Sequence, residues 1–330
     1  MRERASEFPT RFEFRSVLGE CGTECGSGVH DSSATLHTGQ GCAYESIGCH
    51  QQVIRQAISD AAQHEAVSVV VTFDRHPNTI VAPERVPPLI YSLPQKLRAI
   101  AALKADATLL LEFTESFSQK TGEQFIRELA DQFGRIHSIC VGSSFHFGYR
   151  RSGNVSLLQT LGKELHFVVH GLSAVSLDDQ PVSSTRIREA IRDGNLDLAG
   201  QMLGREYSLA GNVQRGDGLG RKLGIPTANI DITGLAVPPG GVYAVHCAVG
   251  GQSHRGVLNI GCRPTLGNHA AELRVEAHLL DFNNDLYGQE IEITFVEKLR
   301  DERKFPSLAA LREQILKDIQ QACQLFANQV

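Results

Sequence analysis

A glycine-rich stretch carries the residues best suited to chemistry, and it reads GDGLGRKLGIPTAN over residues 216–229. Glycines let backbone N–H groups turn toward a ligand, and cations among them add charge, so the stretch could cradle phosphate oxygens. The predicted phosphate-binding residues are Gly216, Gly218, Gly220, Arg221, Lys222 and Gly224. The alternative is a glycine-rich surface loop that ends in a turn.

Two oxygen donors follow the glycines. Pro226 holds the residues before it extended, and Thr227 and Asn229, two residues apart, then project to one face. A hydroxyl and a side-chain amide oxygen suit a hard cation such as Mg²⁺ that also touches nucleotide phosphates. We therefore predict Thr227 and Asn229 as magnesium ligands. Leu223 stands where a Walker A loop needs Ser or Thr, so the stretch is not a Walker A loop.

A carboxylate lies on a predicted strand further along the chain. Val275, Ala277 and Leu279 share one face of RVEAHLLDF, which leaves Glu276 and His278 on the other. A carboxylate on a rigid strand beside a phosphate loop can take a proton from an attacking hydroxyl. Glu276 is thus the predicted catalytic base, and an exposed strand glutamate is the alternative.

A second hydroxyl cluster lies in the first half of the chain. Ser183, Ser184 and Thr185 open a helical stretch that runs to Ile191. Phosphate binds well at a helix start, and Arg186 could add charge. The alternative is a plain serine N-cap followed by two solvated arginines, Arg186 and Arg188.

The first half alternates between apolar runs and helical patterns. The runs that we predict as strands are 66–73, 107–113, 137–142 and 166–170, and the predicted helices are His50–His64, Pro94–Ala105 and Phe125–Phe133. This alternation predicts a Rossmann-like parallel sheet with helices on both faces. Ligands of such sheets bind beyond the carboxyl ends of the strands, where Asp74 and His76 stand.

Residues 1–49 are atypical for such a domain. They contain no apolar run able to form the usual first strand, and the nearest candidate, SSATLHTGQG, is polar and broken by glycine. We therefore expect a degraded first strand in a segment without stable structure. Four cysteines and three histidines fall within the first 50 residues, at Cys21, Cys25, Cys42, Cys49, His30, His37 and His50, so a zinc site is an alternative, although no C-x-x-C pair is present.

The second half changes character after Leu203. Alternation at period two, interrupted by turn residues, predicts a small antiparallel barrel. A last helix begins at Pro306 and Ser307, and its apolar stripe consists of Leu308, Leu311, Ile315, Ile319 and Phe326. The predicted organisation is an atypical segment over 1–49, a nucleotide-binding α/β domain over 50–203 and a barrel domain over 204–330.

Composition limits the classes of partner. The net charge of -5 argues against a protein that binds nucleic acid by general charge attraction. No run of 18 apolar residues is present, so no membrane span is predicted, and the N-terminal residues lack the apolar region of a secretory signal. We expect a cytoplasmic protein that acts on small molecules.

The second half resembles riboflavin kinase through motifs that come in family order. Besides GDGLGRKLGIPTAN these are residues 241–244 (GVYA), 259–265 (NIGCRPT), 275–282 (VEAHLLDF), 285–288 (DLYG) and 299–302 (LRDE). TFDRHP, VGSSFHFG and VSSTRIR give the first half a resemblance to an adenylyltransferase module. As a whole the chain resembles the bacterial bifunctional riboflavin kinase/FMN adenylyltransferase (FAD synthetase) family.

The resemblance implies an ATP- and Mg²⁺-dependent kinase. Thr227 and Asn229 would hold the metal and phosphates, Glu276 would act on the terminal ribityl hydroxyl of riboflavin, and Arg300 would lie near the flavin. In the adenylyltransferase domain, His50, Asp74 and His76 and the helix start at Ser183, Ser184, Thr185 and Arg186 would bind nucleotide.

The first adenylyltransferase motif departs from the family pattern. Of its residues only Gly41, His50 and Gln51 remain, and Ser144 and His146 stand where the family has Asp and Arg. Loss of one such donor to a developing charge commonly lowers the rate by about 10²–10³. Natural loss of the second activity and a shifted reading frame both account for the departure.

Three functions follow as hypotheses. The first is a kinase that makes FMN, with weak or absent FAD formation. The second is the full two-step enzyme. The third is a protein that binds flavin without chemistry, against which the presence of a base and two metal ligands argues.

Overall fold

The computed structural model describes residues 34–38, 47–263 and 272–328. Contacts divide them into two units. The first contains Cys49–Val86, Leu97–Val175 and the strand at 34–38, and the second contains Pro87–Lys96 and the residues from Ser176 onward. The domain boundaries at 49/50 and 203/204 stay predictions.

The helices are α1 (Ile47–Gln63), α2 (Asn78–Val81), α3 (Leu93–Ala101), α4 (Glu115–Ser118), α5 (Gly122–Phe133), α6 (Val155–Leu165), α7 (Ser184–Arg192), α8 (Leu196–Leu203), α9 (Leu219–Lys222) and α10 (Leu308–Ala327), with short 3-10 helices at Pro83–Arg85 and Tyr149–Arg151. The strands of the first unit are β1 (Ala34–Thr38), β2 (Val67–Phe73), β3 (Ala107–Leu111), β4 (Ile136–Gly142), β5 (His146–Phe147), β6 (Gly153–Asn154) and β7 (Val168–Leu172). Those of the second are β8 (Ser176–Leu177), β9 (Gln180–Pro181), β10 (Ser208–Gln214), β11 (Ala228–Ile230), β12 (Gly241–Val249), β13 (Gln252–Arg263), β14 (Glu272–Leu279) and β15 (Glu290–Arg300).

A five-stranded parallel sheet in the order β3-β2-β1-β4-β7 forms the first unit. Its strands and helices confirm the alternation predicted from the sequence. In β2 all residues but the first are buried, and β4 is mostly buried, as expected of strands covered on both faces, whereas β7 is half-buried to exposed.

The strand at 34–38 corrects one expectation. The polar segment that we considered degraded forms β1, which pairs with β2 on one side and with β4 on the other. It therefore occupies the centre of the sheet. Parallel ladders are made by backbone groups, so a strand with few apolar residues can still take this place when its neighbours are strongly β-forming.

Pro87–Lys96 packs with the second unit, although the chain before and after it belongs to the first. Leu89 exchanges backbone hydrogen bonds with the segment at Gly234 and Ala236, each over 2.7 Å. Gln95 is buried and donates to the carbonyl oxygen of Ser208 over 3.2 Å. The segment is thereby fixed to the start of the barrel.

The second unit is a closed barrel in the order β10-β11-β14-β13-β12-β15. Its interior holds the alternate apolar residues of each strand, among them Tyr243, Val245 and Cys247 of β12. The opposite face of β12, with Val242 and Ala244, packs against Phe326 of α10. The barrel and its covering helix confirm the predicted fold class.

Ser307 caps α10, and its hydroxyl accepts a hydrogen bond from the N–H of Ala310 over 3.2 Å. The predicted stripe is correct except at its start, because Leu308 is 56% exposed. The buried face instead includes Asp318, which is 2% exposed.

No helix within the described ranges is both long and apolar enough to cross a membrane. The cytoplasmic location stays a prediction.

Candidate active site

A cavity of about 460 Å³ lies on the outer face of the barrel, between the glycine-rich loop, the strands and α10. Thr227, Asn229, Glu276 and Arg300 all line it, although they come from three different parts of the chain. The loop contributes Gly218 and Gly220, and the wall formed by α10 includes Leu311 and Ile315. The structure therefore brings together residues that were singled out separately in the sequence.

Strand register aligns three polar side chains across this cavity. Asn229 of β11 lies directly opposite Glu276 of β14, and Glu276 lies directly opposite Asn259 of β13. Directly opposite residues share a face of the sheet and have Cβ atoms about 5 Å apart. Because all three stand on paired strands, their spacing is set by the barrel and not by the loop.

Two of the four glycines are required by close packing. A Cβ on Gly216 would lie 2.2 Å from the amide nitrogen of Asn229, and one on Gly220 would lie 2.9 Å from the hydroxyl of Thr227. The backbone of the loop thus lies against both predicted metal ligands. Gly218 and Gly224 differ, because they have φ of +67° and +77° and open space around them.

Burial raises the pKa of Glu276 above its ordinary value, Arg274 lowers it, and Asp217 raises it again. Arg274 pairs with Asp217 of the glycine-rich loop, with 2.9 Å between Nη1 and Oδ2. A carboxylate that is costly to keep charged is a stronger base, so this environment suits proton abstraction. His278, on the same face of β14, hydrogen-bonds through Nδ1 to the carbonyl oxygen of Pro226 over 2.8 Å.

Arg300 is held from the side of α10. Its Nε and Nη2 donate to the two carboxylate oxygens of Asp318, over 3.0 Å and 2.8 Å. The guanidinium also lies 5.6 Å from the centre of the Phe305 ring. Arg300 therefore presents to the cavity a cation whose orientation is fixed by a buried partner.

A second cavity of about 560 Å³ lies on the other side of Thr227. Its lining includes Arg215, Arg221 and Tyr287, together with the turn at 282–286. Arg215 lies over the ring of Tyr287, 5.6 Å from its centre. Thr227 lines both cavities, whereas Lys222 is exposed and lines neither.

The donors around Thr227 fit a hard cation. Thr227 and Asn229 supply neutral oxygens, and Glu276 adds a carboxylate oxygen on the same wall. Within the described part of the chain, no cluster of three His, Cys, Asp or Glu residues could hold a metal. A site with so few protein ligands suits Mg²⁺, which commonly takes the rest of its ligands from water and substrate phosphates.

Asp74 follows β2 in the first unit and is tied to the end of β3. It accepts a hydrogen bond from the N–H of Phe113 over 3.0 Å and one from Nε of Arg75 over 2.8 Å. Burial raises the pKa of Asp74, but these hydrogen bonds outweigh burial and hold it below its ordinary value. His76 accepts at Nδ1 from the N–H of Asn78 over 3.0 Å.

The helix start at Ser183 belongs to the second unit. The Ser183 hydroxyl accepts from the N–H of Arg186 over 3.3 Å, as an N-cap does. Arg186 donates to the carbonyl oxygens of Leu177 and Gln180 over 2.9 Å and 3.1 Å. The cap favours the structural alternative for Ser183, but Arg186 is not solvated as that alternative expects, because its side chain is 18% exposed and bound to these carbonyl oxygens. In the first turn Ser184 is half-buried and Thr185 is exposed.

The N-terminal motif lies largely outside the described residues, as do Cys21, Cys25, Cys42 and His30 of the zinc hypothesis. The backbone places His50 in the first turns of α1, which follows the central strand β1. In parallel sheets the loop and helix start after a central strand are common positions for phosphate.

Comparisons with known proteins cover both units. A riboflavin kinase family model matches residues 203–326, and an FAD synthetase family model matches residues 48–186. The bifunctional riboflavin kinase/FMN adenylyltransferase of Haemophilus influenzae is 34% identical over 91% of this chain and 98% of its own length. The chain belongs to the bifunctional riboflavin kinase/FMN adenylyltransferase family.

Two further comparisons also cover most of this chain. The bifunctional riboflavin kinase/FMN adenylyltransferase of Pseudomonas fluorescens is 37% identical over 84% of this chain and 89% of its own length. A crystal structure described as a macrolide-efflux protein from Streptococcus pneumoniae is 27% identical, with a TM-score of 0.73 over 88% of this chain and 94% of that one.

Sequence reasoning within this family missed three charged residues at the barrel cavity: Asp217, Arg274 and Asp318. For Asp318 a signal exists, because it lies on the otherwise apolar stripe of α10, three residues after Ile315. An acid in that position indicates a buried partner. Asp217 and Arg274 carry no comparable signal, since charged residues are common on loops and on exposed strand faces.

Proposed function

We propose that this chain makes FAD from riboflavin in two ATP-dependent steps, with riboflavin kinase activity in the barrel unit and FMN adenylyltransferase activity in the α/β unit. The observation that carries the first step is the single cavity lined by Thr227, Asn229, Glu276 and Arg300. The second step is supported by the match of both family models and by relatives that span both halves.

The comparisons favour the full two-step enzyme over a kinase with weak or absent FAD formation, which the sequence motifs alone favoured. The FAD synthetase model matches residues 48–186, which is most of the first half of the chain. The third hypothesis, flavin binding without chemistry, has the least support because the cavity carries a half-buried carboxylate suited to proton transfer.

In the kinase step, the flavin ring lies in the outer cavity and the nucleotide lies in the second cavity. Leu311, Ile315 and Phe305 supply an apolar wall for the ring system, and Arg300 lies beside it. Arg215 and Arg221 supply charge for the nucleotide, with Tyr287 as a stacking surface. Thr227 lies where the phosphates would meet the hydroxyl.

The chemistry of this step needs a base, and Glu276 is the residue that can act as one. Its carboxylate takes the proton from the primary hydroxyl of the ribityl chain as that oxygen bonds to the γ-phosphorus of ATP, and ADP leaves. Thr227 and Asn229 would hold Mg²⁺, which offsets the negative charge of the phosphates when it is bound.

In the adenylyltransferase step, a phosphate oxygen of FMN bonds to the α-phosphorus of ATP and pyrophosphate leaves. His50 is the residue of this chain that we assign to the negative charge that develops on the α-phosphate. Asp74 and His76, held after β2 in the same unit, are proposed nucleotide contacts.

Incubation of the purified chain with riboflavin, ATP and MgCl₂, followed by chromatography of the flavins, tests both steps. We expect FMN first and FAD later, in amounts that exceed the enzyme many times. FMN that accumulates without FAD would refute the second step, and no phosphorylated flavin at all would refute the first. A parallel reaction that starts from FMN measures adenylylation alone.

A further inference from the structure

An ion pair lies beside the predicted base without being part of the assigned chemistry. Arg274 Nη1 donates to Oδ2 of Asp217 over 2.9 Å. Arg274 stands on β14 and Asp217 on the glycine-rich loop, and both side chains line the outer cavity. The pair is half-buried on the side of Arg274, which is 27% exposed.

Arg274 also lies within reach of Glu276. The two residues are two positions apart on β14 and face the same cavity. Such neighbours are about 7 Å apart along a strand, a distance that a long arginine and a glutamate can close. Their charges are coupled, because after the dominant effect of burial, Arg274 lowers the pKa of Glu276 and Asp217 raises it.

Two other arginines line this cavity, and each has contacts of its own. Arg300 makes a bidentate pair with Asp318. Arg303 lies over the ring of Phe305, 5.0 Å from its centre. Arg274 therefore has a carboxylate partner on the loop, Asp217, and a second neighbouring carboxylate on its own strand, Glu276; Glu302 also lines this cavity.

We propose that Asp217 is a positioning residue for the kinase reaction, one that holds the guanidinium of Arg274 away from Glu276. An arginine paired with Glu276 would occupy the oxygens that must receive the substrate proton. With Asp217 in place, those oxygens stay open to the ribityl hydroxyl. The inference rests on the proposed kinase function and assigns to the loop a second role besides contact with phosphate.

Three variants test the proposal: Asp217→Asn, Arg274→Gln and the double variant. Asp217→Asn removes the charged loop partner of Arg274, so that its guanidinium can shift toward Glu276. We expect kcat for FMN formation to fall about fivefold, the scale of a partly exposed ion pair, with little change in KM for riboflavin. Arg274→Gln removes the competing cation and should stay within about twofold of the parent enzyme. The double variant should recover to the level of Arg274→Gln.

A role limited to tethering the loop predicts a different pattern, because then both single variants and the double variant would lose activity equally. That pattern, a double variant as slow as Asp217→Asn, or an Asp217→Asn variant with unchanged kcat, would overturn the proposal. Glu164→Gln, which removes an exposed ion-paired acid from the first unit, is the matched control and should not alter FMN formation. An inactive parent chain would refute the kinase function itself, so the two failures are distinguishable.

Discussion

Asn229 and Glu276 lie directly opposite each other on the paired strands β11 and β14. A predicted metal ligand and a predicted base are therefore held at the distance between neighbouring strands. Sites built on paired strands keep their geometry better than sites built on loops. The glycine-rich loop can thus adjust to a nucleotide without a change in the spacing between the base and the metal ligand.

Replacement of Glu276 by Gln tests the assignment of the base. The amide keeps the size and polarity of the side chain but cannot take a proton. We expect the rate of FMN formation to fall by about 10²–10⁴, with riboflavin binding retained in a fluorescence titration. Glu297→Gln, an exposed glutamate on β15, is the control and should leave the rate unchanged. Full activity of Glu276→Gln would remove Glu276 from the mechanism.

The same substitution should raise stability near neutral pH. Burial raises the pKa of Glu276 in the folded chain, so the carboxylate is charged there at a cost that the unfolded chain does not bear. That cost is fully present above the raised pKa of the folded chain. The cost disappears as the pH falls from this raised pKa toward the ordinary value of 4.5. We therefore expect Glu276→Gln to melt at a higher temperature than the parent near neutral pH.

Thermal melting over a pH series measures this difference. The difference in melting temperature between Glu276→Gln and the parent chain should become smaller at acidic pH, where both side chains are uncharged. A gap that widens on acidification, or a variant that melts below the parent near neutral pH, would contradict the expected sign.

Gly216→Ala should disturb the predicted metal site more than Gly224→Ala does. The new methyl group at 216 would lie 2.2 Å from the amide of Asn229, so either the loop or Asn229 must move. At Gly224 the methyl group meets open space, and only the positive φ of +77° opposes it, at a cost of about 1 kcal/mol.

Titration of FMN formation with MgCl₂ distinguishes the two variants. Gly216→Ala should need about tenfold more Mg²⁺ for half-maximal rate, which corresponds to a loss of about 1.4 kcal/mol in the free energy of Mg²⁺ binding. Gly224→Ala should keep the Mg²⁺ dependence of the parent and lose only a few degrees of melting temperature. Equal Mg²⁺ dependence in all three proteins would separate Gly216 from the metal site.

Asp318→Asn should destabilise the barrel unit. Asp318 is 2% exposed and accepts hydrogen bonds from Nε and Nη2 of Arg300, whose Nη1 donates to the carbonyl oxygen of Asp301. Neutralisation of Asp318 therefore leaves a largely buried cation without this charged partner. Loss of one member of a buried pair costs about 3 kcal/mol. Urea unfolding measures the change, and a weaker affinity for riboflavin should accompany it because Arg300 lines the cavity.

Glu313→Gln on the same helix is the matched control. It breaks the pair with Lys317, in which both side chains are more than 60% exposed (62% and 69%), and such exposed pairs contribute about 0–1 kcal/mol. A loss for Asp318→Asn no larger than that for Glu313→Gln would show that the Arg300–Asp318 pair does not hold α10 to the barrel.

Hydrophobic periodicity predicted most of the helices and strands, because an element that buries one or both of its faces carries apolar residues at regular positions. The strand β2 and the helix α10 are examples, and the capping serine at 307 was predicted with the helix that it begins. β1 left no such record. Its place depends on backbone pairing with β2 and β4, to which its own side chains contribute little signal.

The candidate site was predictable as residues but not as an arrangement. Local spacing identified Thr227, Asn229 and Glu276. The alignment of Asn229 with Glu276 depends on the register of two strands that are distant in the chain, and the sequence of either strand alone does not give that register. The partner of Arg300 is likewise distant in the chain, and only the misplaced polarity of Asp318 could have indicated it.

The path of Pro87–Lys96 has a practical consequence for anyone who wishes to separate the two activities. Neither unit is an uninterrupted piece of polypeptide, because Pro87–Lys96 belongs to the second unit while the residues on both sides of it belong to the first. A fragment that starts at residue 204 would lack Tyr91 and Gln95, so their hydrogen-bond partners Arg205 and Ser208 would be exposed to water. Supplying the missing peptide should make such a fragment easier to handle.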